Sequence, residues 1–188
     1  MKDFKILFIH GYNATSQTDF YPPLTLELDK INIDYALPIL PGGRYPQSKV
    51  WLQILHETIA RNKKPLIIIG HSLGTRAALL FIEKYQLEVD ALFLIGAFAN
   101  RIENGMRRNG EAYPDFFMHT VDTESIKKLV KRTYVLHSED DSSILFEQGQ
   151  AIAHEMNGEL IVSEKRGHFD SPSVAPYILS VLKDKLGF

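Results

Sequence analysis

Short apolar runs alternate with longer amphipathic stretches along the whole chain. Six runs are nearly continuous in hydrophobic, often β-branched residues and are predicted as strands: 4–9, 33–38, 66–69, 91–95, 134–137 and 160–163. Such runs are typical of parallel sheets, whose strands are covered on both faces. Between them, apolar residues recur every three to four positions and predict helices near 24–31, 50–59, 75–85, 126–130, 146–156 and 177–186.

This repeated alternation predicts an α/β protein, a three-layer sandwich with a mainly parallel six-stranded sheet and right-handed crossovers. We expect the strand order 2-1-3-4-5-6 and a single domain over residues 1–188. Residues 98–120 form the one long irregular segment. This segment is either a surface loop or a short cap over a site. A cap is favoured because Tyr113, Phe116 and Phe117 need an apolar surface to bury against.

Composition narrows the classes of function. The 188 residues are 45% hydrophobic and 23% charged with a formal charge of −2, so the chain lacks the basic surplus that nucleic-acid or anionic-membrane partners require. No apolar run reaches the ~18–20 residues of a membrane span, and we expect no secretory signal. Cysteine is absent, which excludes disulfides and thiolate chemistry. These features predict a cytoplasmic protein.

The sequence Gly70-His71-Ser72-Leu73-Gly74 matches the pattern G-x-S-x-G between a predicted strand and a predicted helix. A sharp strand-to-helix turn strains the backbone of its central residue, and flanking glycines remove Cβ atoms that would clash. Ser72 would then project at the carboxyl edge of the sheet, over a helix N-terminus that favours an oxyanion. The alternative is that Ser72 merely caps the helix. The context favours a nucleophile.

A serine nucleophile needs a base with a pKa near the working pH. Where this turn carries the nucleophile, the chain order is serine, acid, histidine. Of the seven histidines, only His154 and His168 come late enough, and His154 falls within a predicted helix, whereas His168 follows the last strand. We therefore predict His168 as the base. The acid belongs in the loop after the fifth strand, where Glu139, Asp140 and Asp141 compete.

An oxyanion hole requires two backbone N–H donors. We expect one from Leu73, directly after the nucleophile, and the other from Tyr12 in the loop after the first strand. The predicted strand order makes the first and third strands neighbours at the switch point of the sheet, where ligands of open α/β sheets bind. The alternative is that His10 and Gly11 simply end the strand in a turn.

Aromatic residues near the same edge are candidates to line an apolar acyl pocket: Tyr12, Phe98, Phe117 and Phe169. The alternative location for each of them is the core, where large aromatic side chains are common.

With these motifs the chain resembles the α/β-hydrolase superfamily, and within it the small serine hydrolases grouped with retinoblastoma-binding protein 9 and the bacterial YdeN-like proteins. The resemblance covers nearly the whole chain. Its specific parts are the elbow at 70–74 and the Gly-His-Phe sequence at 167–169. In that family the acid is the second aspartate of a pair, followed by an aliphatic residue. The resemblance therefore favours Asp141, with Ile144 downstream, over Asp140.

The predicted catalytic set is thus Ser72, Asp141 and His168. It implies a carboxylesterase-like serine hydrolase that cleaves a small carboxylic ester or related acyl compound through an acyl-enzyme on Ser72. No cofactor or metal is expected, since no metal-ligand spacing or nucleotide-binding glycine motif is present. The alternative is a protein-binding module on the same scaffold, because the family it resembles is associated with protein partners as well as hydrolysis.

Overall fold

The structure, a computed structural model, describes residues 3–98 and 113–188. Six strands form one parallel sheet: β1 (Lys5–Ile9), β2 (Tyr35–Ala36), β3 (Leu66–His71), β4 (Ala91–Ile95), β5 (Thr133–Ser138) and β6 (Glu159–Ser163). Their order across the sheet is β2-β1-β3-β4-β5-β6. The predicted α/β class and the predicted strand order are confirmed.

The described ranges also contain six α-helices: α1 (Tyr21–Lys30), α2 (Ser48–Ile59), α3 (Leu73–Tyr85), α4 (Thr123–Lys127), α5 (Phe146–Glu155) and α6 (Ala175–Leu186). Helices α1 and α6 pack on one face of the sheet, and α2, α3 and α5 pack on the other. Across residues 3–98 and 113–188, no helical segment has the length and hydrophobicity that spanning a bilayer requires.

The two faces of β1 explain its continuous hydrophobic pattern. Ile6 and Phe8 pack with α1 and α6, whereas Leu7 and Ile9 pack with the helices of the other face. All four side chains are fully buried. Because both faces of the strand are covered, every position is apolar, and the alternation of a half-exposed strand does not occur.

Several element boundaries differ from the prediction by one to three residues, and two of these differences have a clear structural cause. Strand β2 is confined to Tyr35–Ala36 because it is an edge strand that pairs only at two residues of β1. Helix α3 begins at Leu73, earlier than the predicted 75, because it starts directly after Ser72 with no linker. Of the predicted cap segment 98–120, residues 99–112 lie outside the described residues. The remainder contains a short 3₁₀ turn, Pro114–Phe116, whose last residue is fully buried.

Because the strands are parallel, their carboxyl ends meet along one edge of the sheet. The loops after β1, β3, β4, β5 and β6 all leave from that edge. They carry Tyr12, Ser72, Gly96, Asp141 and His168 respectively. The fold therefore gathers at one edge residues that are far apart in the chain.

Candidate active site

Ser72 lies in the turn between β3 and α3. Its backbone angles are φ 52° and ψ −122°, which confirms the strained conformation predicted for the centre of this turn. Its side chain makes no capping hydrogen bond to α3, although a helix-capping role would require one. The hydroxyl is therefore directed to a partner other than the helix backbone.

Glycines at the elbow permit its close packing. A Cβ on Gly74 would lie 2.0 Å from the carbonyl oxygen of Ile9, and one on Gly70 would lie 2.6 Å from the carbonyl oxygen of Gly74. Neither distance is tolerable, so the ends of β1 and β3 can approach the first turn of α3 only where these side chains are missing. A Cβ on Gly11 would lie 3.1 Å from the Ser72 Cβ, so the loop after β1 touches Ser72 itself.

A chain of hydrogen bonds joins Asp141, His168 and Ser72. The Nδ1–H of His168 donates to Asp141 Oδ2 at 2.8 Å, and its Nε2 accepts the Ser72 hydroxyl at 2.8 Å. A carboxylate can only accept, and this assigns the imidazole tautomer. The other carboxylate oxygen, Oδ1, accepts the N–H groups of Ser143 (2.8 Å) and Ile144 (2.9 Å). All three predicted residues are therefore in contact, and the carboxylate is held in a fixed orientation.

Asp140, the alternative acid, has a different set of partners. Its Oδ1 accepts from the Ser138 hydroxyl at 2.6 Å and from the backbone N–H groups of Arg166 (3.2 Å) and Gly167 (3.0 Å). These hydrogen bonds hold the pKa of the exposed Asp140 carboxyl below its usual value. Asp140 thus ties the loop after β5 to the residues just before His168, while Asp141 meets the imidazole itself.

Gly96, at the end of β4, makes room for the imidazole. Its φ is +56°, and a Cβ there would lie 3.1 Å from both Cε1 and Nδ1 of His168 and 3.5 Å from Asp141 Oδ2. A larger residue would push the ring out of line. Gly96 was not among the residues predicted from the sequence. The sequence does contain a signal for this residue, because a glycine directly follows the buried strand β4, whose carboxyl end lies at the edge that carries the site.

The two predicted oxyanion donors lie on the loops that meet at Ser72. Leu73 opens α3, and Tyr12 follows Gly11 after β1. Within residues 3–98 and 113–188, neither backbone N–H donates a hydrogen bond to the protein. Both amides are therefore available to an external acceptor.

Three of the four predicted pocket aromatics belong to one cluster. The ring centroid of Tyr113 lies 4.9 Å from that of Tyr12 and 5.9 Å from that of Phe117, which in turn lies 5.9 Å from Phe98. Phe169 does not join them. It is fully buried with α1 and α6 on the opposite face of the sheet, which is the environment of a core residue. Tyr113, absent from the predicted set, occupies the cluster instead.

Arg76, on α3, anchors the segment that carries these rings. The guanidinium is fully buried, and its Nε–H donates to the carbonyl oxygen of Phe116 at 2.8 Å, with a further hydrogen bond to the carbonyl oxygen of His119. Burial lowers the pKa of Arg76 to about 10. The cation also lies 5.6 Å from the ring centroid of Phe117. Sequence reasoning missed this role, although a lone arginine among apolar helix residues was a visible signal.

Three further histidines around the site are buried. Burial lowers the pKa of His10, His71 and His137 below the ordinary 6.5, that of His71 to about 3, so all three rings are neutral at neutral pH. The Nε2 of His10 accepts the N–H of Leu40 at 3.3 Å, and the Nε2–H of His137 donates to the carbonyl oxygen of Ile144 at 3.0 Å. In the described part of the chain, no group of three histidine, aspartate or glutamate residues could hold a metal ion.

The parallel sheet, its strand order and the elbow after β3 define the α/β-hydrolase fold. The crystal structure of the ydeN gene product from B. subtilis matches this chain with a TM-score of 0.85 and 22% sequence identity. The match covers 98% of this chain and 99% of that one. The two proteins share the fold over their whole length.

Sequence comparison narrows the class to a family. A family model described as serine hydrolase matches residues 6–175, and the chain belongs to this serine hydrolase family. It is 25% identical to YdeN of Bacillus subtilis (strain 168) over 170 residues, 88% of this chain and 85% of that protein. It is 27% identical to serine hydrolase RBBP9 of Rattus norvegicus over 132 residues, 70% of this chain and 67% of that protein. The resemblance inferred from the motifs is confirmed.

Proposed function

We propose that this serine hydrolase cleaves a small carboxylic ester or related acyl compound through an acyl-enzyme on Ser72. The observation that carries the proposal is the pair of 2.8 Å hydrogen bonds from Asp141 through His168 to Ser72. This is the arrangement that makes a serine hydroxyl nucleophilic, because the imidazole takes its proton and the carboxylate stabilises the imidazolium that forms.

In the first half of the reaction, Ser72 Oγ attacks the acyl carbonyl carbon while His168 Nε2 takes the hydroxyl proton. The carbonyl oxygen becomes an oxyanion, which the N–H groups of Leu73 and Tyr12 stabilise. When the bond to the leaving alcohol breaks, His168 gives the proton to the alcohol oxygen. The acyl group is then esterified to Ser72.

The second half removes the acyl group with water. His168 Nε2 takes a proton from the water as its oxygen attacks the acyl carbon, and the second tetrahedral intermediate uses the same two N–H donors. The intermediate collapses, His168 returns the proton to Ser72 Oγ, and the carboxylic acid leaves. No cofactor or metal is required at any step.

The aromatic cluster supports an apolar acyl group as the part of the substrate that is bound. Tyr12 links the two functions, since its backbone follows Gly11 at the nucleophile and its ring contacts Tyr113. The partly exposed Phe117 extends the apolar surface, Phe98 packs against it as a buried residue beneath, and Arg76 holds Phe117 in place. A small-molecule substrate agrees with membership of the serine hydrolase family. The cytoplasmic location of the protein stays a prediction.

The decisive experiment measures hydrolysis of p-nitrophenyl esters of increasing acyl length by the native protein and by Ser72→Ala. We expect measurable activity that falls with long chains, and a loss of at least about 10³-fold in kcat/KM for Ser72→Ala. A fluorophosphonate probe should label the native protein and not the variant. Unchanged hydrolysis by Ser72→Ala would exclude the assignment.

The same experiment tests the alternative of a protein-binding module. A native protein that hydrolyses no ester in the series and is not labelled by the probe would favour that alternative. Circular dichroism of Ser72→Ala provides the control that the fold is intact.

A further inference from the structure

His71 is a buried histidine that the reaction described above does not use. It is the last residue of β3 and directly precedes Ser72. Its Nε2–H donates to the backbone carbonyl oxygen of His168 at 2.7 Å, across a sequence separation of 97 residues. The residue next to the nucleophile is thus bonded to the main chain of the residue that carries the base.

The environment of His71 is unfavourable for a purely structural core residue. Its ring is fully enclosed, and within the described ranges its Nδ1 has no hydrogen-bond partner. The carboxylate of Asp19 faces Nδ1, but its Oδ2 lies 3.9 Å away, beyond hydrogen-bond distance. A buried polar atom without a partner destabilises a protein. An apolar residue would serve the core better, so the hydrogen bond to His168 is the feature that favours histidine here.

The loop that His71 contacts is held by a few individual hydrogen bonds, among them Phe169 N–H to the Arg166 carbonyl oxygen and Arg166 N–H to the Ser138 hydroxyl, both at 3.1 Å. Three of its residues have positive φ angles: Lys165, Gly167 and Phe169. Such a loop has no repeating ladder of hydrogen bonds to keep it in place. On its amino-terminal side, Asp140 binds the N–H groups of Arg166 and Gly167. At His168 itself, the main-chain contact is the one from His71.

The charge state of His71 suits a fixed donor. Burial, the adjacent His168 and, to a smaller extent, His10 lower the pKa of His71 to about 3. The hydrogen bond to the His168 carbonyl and the charge of Asp141 act in the opposite direction. Asp19 faces the ring from the loop before α1. The ring is therefore neutral wherever His168 works as a base, and its one N–H stays on Nε2. The His71 and His168 rings lie 5.1 Å apart, so a charged His71 would repel the imidazolium.

We propose that His71 is a positioning residue, which fixes the main chain of His168 and thereby the contact between His168 Nε2 and Ser72 Oγ. The proposal rests on the proposed function, since it assigns a partner to the same base. The proposal requires an N–H donor at the position of His71 Nε2, within hydrogen-bond distance of the His168 carbonyl oxygen.

Two neutral amides test this requirement as a matched pair. The amide nitrogen of glutamine extends about as far as Nε2 of histidine, whereas that of asparagine reaches only the place of Nδ1. We expect His71→Gln to keep kcat within about threefold of native, and His71→Asn to lower kcat by about 10–100-fold with KM changed less than about twofold. Native-like kcat in both variants would overturn the proposal, as would an equal loss in both with the fold intact.

A spectroscopic readout separates positioning from stability. The Nδ1 proton of His168, bonded to Asp141, should give a low-field proton resonance in the native protein and in His71→Gln, and this resonance should shift or broaden in His71→Asn. An unchanged resonance in His71→Asn would contradict the proposal. Ester hydrolysis by Ser72→Ala shows separately whether the proposed function itself fails.

If both variants fail to fold, the native protein still decides. Nitrogen-15 spectra of labelled histidine should show a His71 ring that is neutral with its proton on Nε2, and that responds when a fluorophosphonate occupies Ser72. A His71 proton on Nδ1 would overturn the proposal.

Discussion

The candidate site has two halves, which are built by different means. We call them, after the roles proposed for their residues, the nucleophile half, with Ser72, and the acid–base half, with Asp141 and His168. In the half formed by β1, β3 and α3, main-chain atoms pack so closely that Gly70 and Gly74 have no room for a Cβ. In the half formed by the loops after β5 and β6, side chains hold the geometry. Asp140 binds the N–H groups before His168, and the N–H groups of Ser143 and Ile144 bind Asp141.

This difference explains how each half can fail. The nucleophile half depends on steric exclusion, so an added methyl group should damage folding. The acid–base half depends on individual hydrogen bonds, so a change of one atom should damage the chemistry while leaving the fold. His71 belongs to both halves, since it ends β3 and donates to His168.

The largest effect is expected from a one-atom change in the acid–base half. Asp141→Asn should lower kcat/KM by about 10³–10⁴-fold, because the amide disturbs the tautomer that the carboxylate selects. The neighbouring change Asp140→Asn retains an oxygen that accepts from Arg166 and Gly167, and should cost less than about tenfold. Ester hydrolysis by the two variants measures the difference. Equal losses would contradict the separate roles assigned to the two aspartates.

An added methyl group in the nucleophile half should act on stability. Helix propensity alone predicts that Gly74→Ala stabilises α3 by about 1 kcal/mol. The 2.0 Å approach to the Ile9 carbonyl oxygen predicts the opposite, a loss of at least about 3 kcal/mol in the free energy of unfolding. Urea unfolding measures the sign.

Gly187 provides the control for this change. Its φ is +71°, and a Cβ there would meet no atom of the described residues within 4 Å. Gly187→Ala should therefore cost only the left-handed backbone strain, about 1–2 kcal/mol. A smaller loss for Gly74→Ala than for Gly187→Ala would refute steric exclusion at the elbow.

The smallest expected effect is the pH dependence of the free energy of unfolding, which comes from the buried histidines around the site. Burial lowers the folded-state pKa of His10, His71 and His137, so below about pH 6.5 the unfolded chain binds protons that the folded chain does not. Stability is therefore present above pH 6.5 and is lost as the pH falls. Asp19 opposes this between about pH 4 and pH 6, because burial and Asp170 raise its pKa to about 6.

Three histidines that gain a proton and one aspartate that loses one give a net uptake of up to about two protons on unfolding in that range. The free energy of unfolding then changes by up to about 2.7 kcal/mol per pH unit. Urea unfolding at intervals of about one pH unit between about pH 7.5 and pH 5 gives the slope of the free energy of unfolding against pH. His71→Gln should reduce the slope by up to about one proton. A free energy of unfolding independent of pH would show that these histidines are not held neutral by burial.

Local patterns in the sequence were sufficient to predict the fold and to single out Ser72 as the candidate nucleophile. A buried parallel strand is recognised by its own residues, and the elbow 70–74 by five consecutive positions between a strand and a helix. His168 was predicted as the base from the chain order and from its position after the last strand. These features depend on neighbours in the chain, which is why the sequence alone determined them.

The rest depends on contacts between segments distant in the chain. Asp140 and Asp141 have the same side chain, and only the position of the loop after β6 decides which one meets the imidazole. Phe169 was predicted near the substrate, but the direction of its side chain places it on the opposite face of the sheet. The bond from His71 to His168 spans 97 residues and leaves no periodic or motif signal. Such hydrogen bonds form only where folding brings their partners within about 3 Å, so the tertiary structure alone decided them.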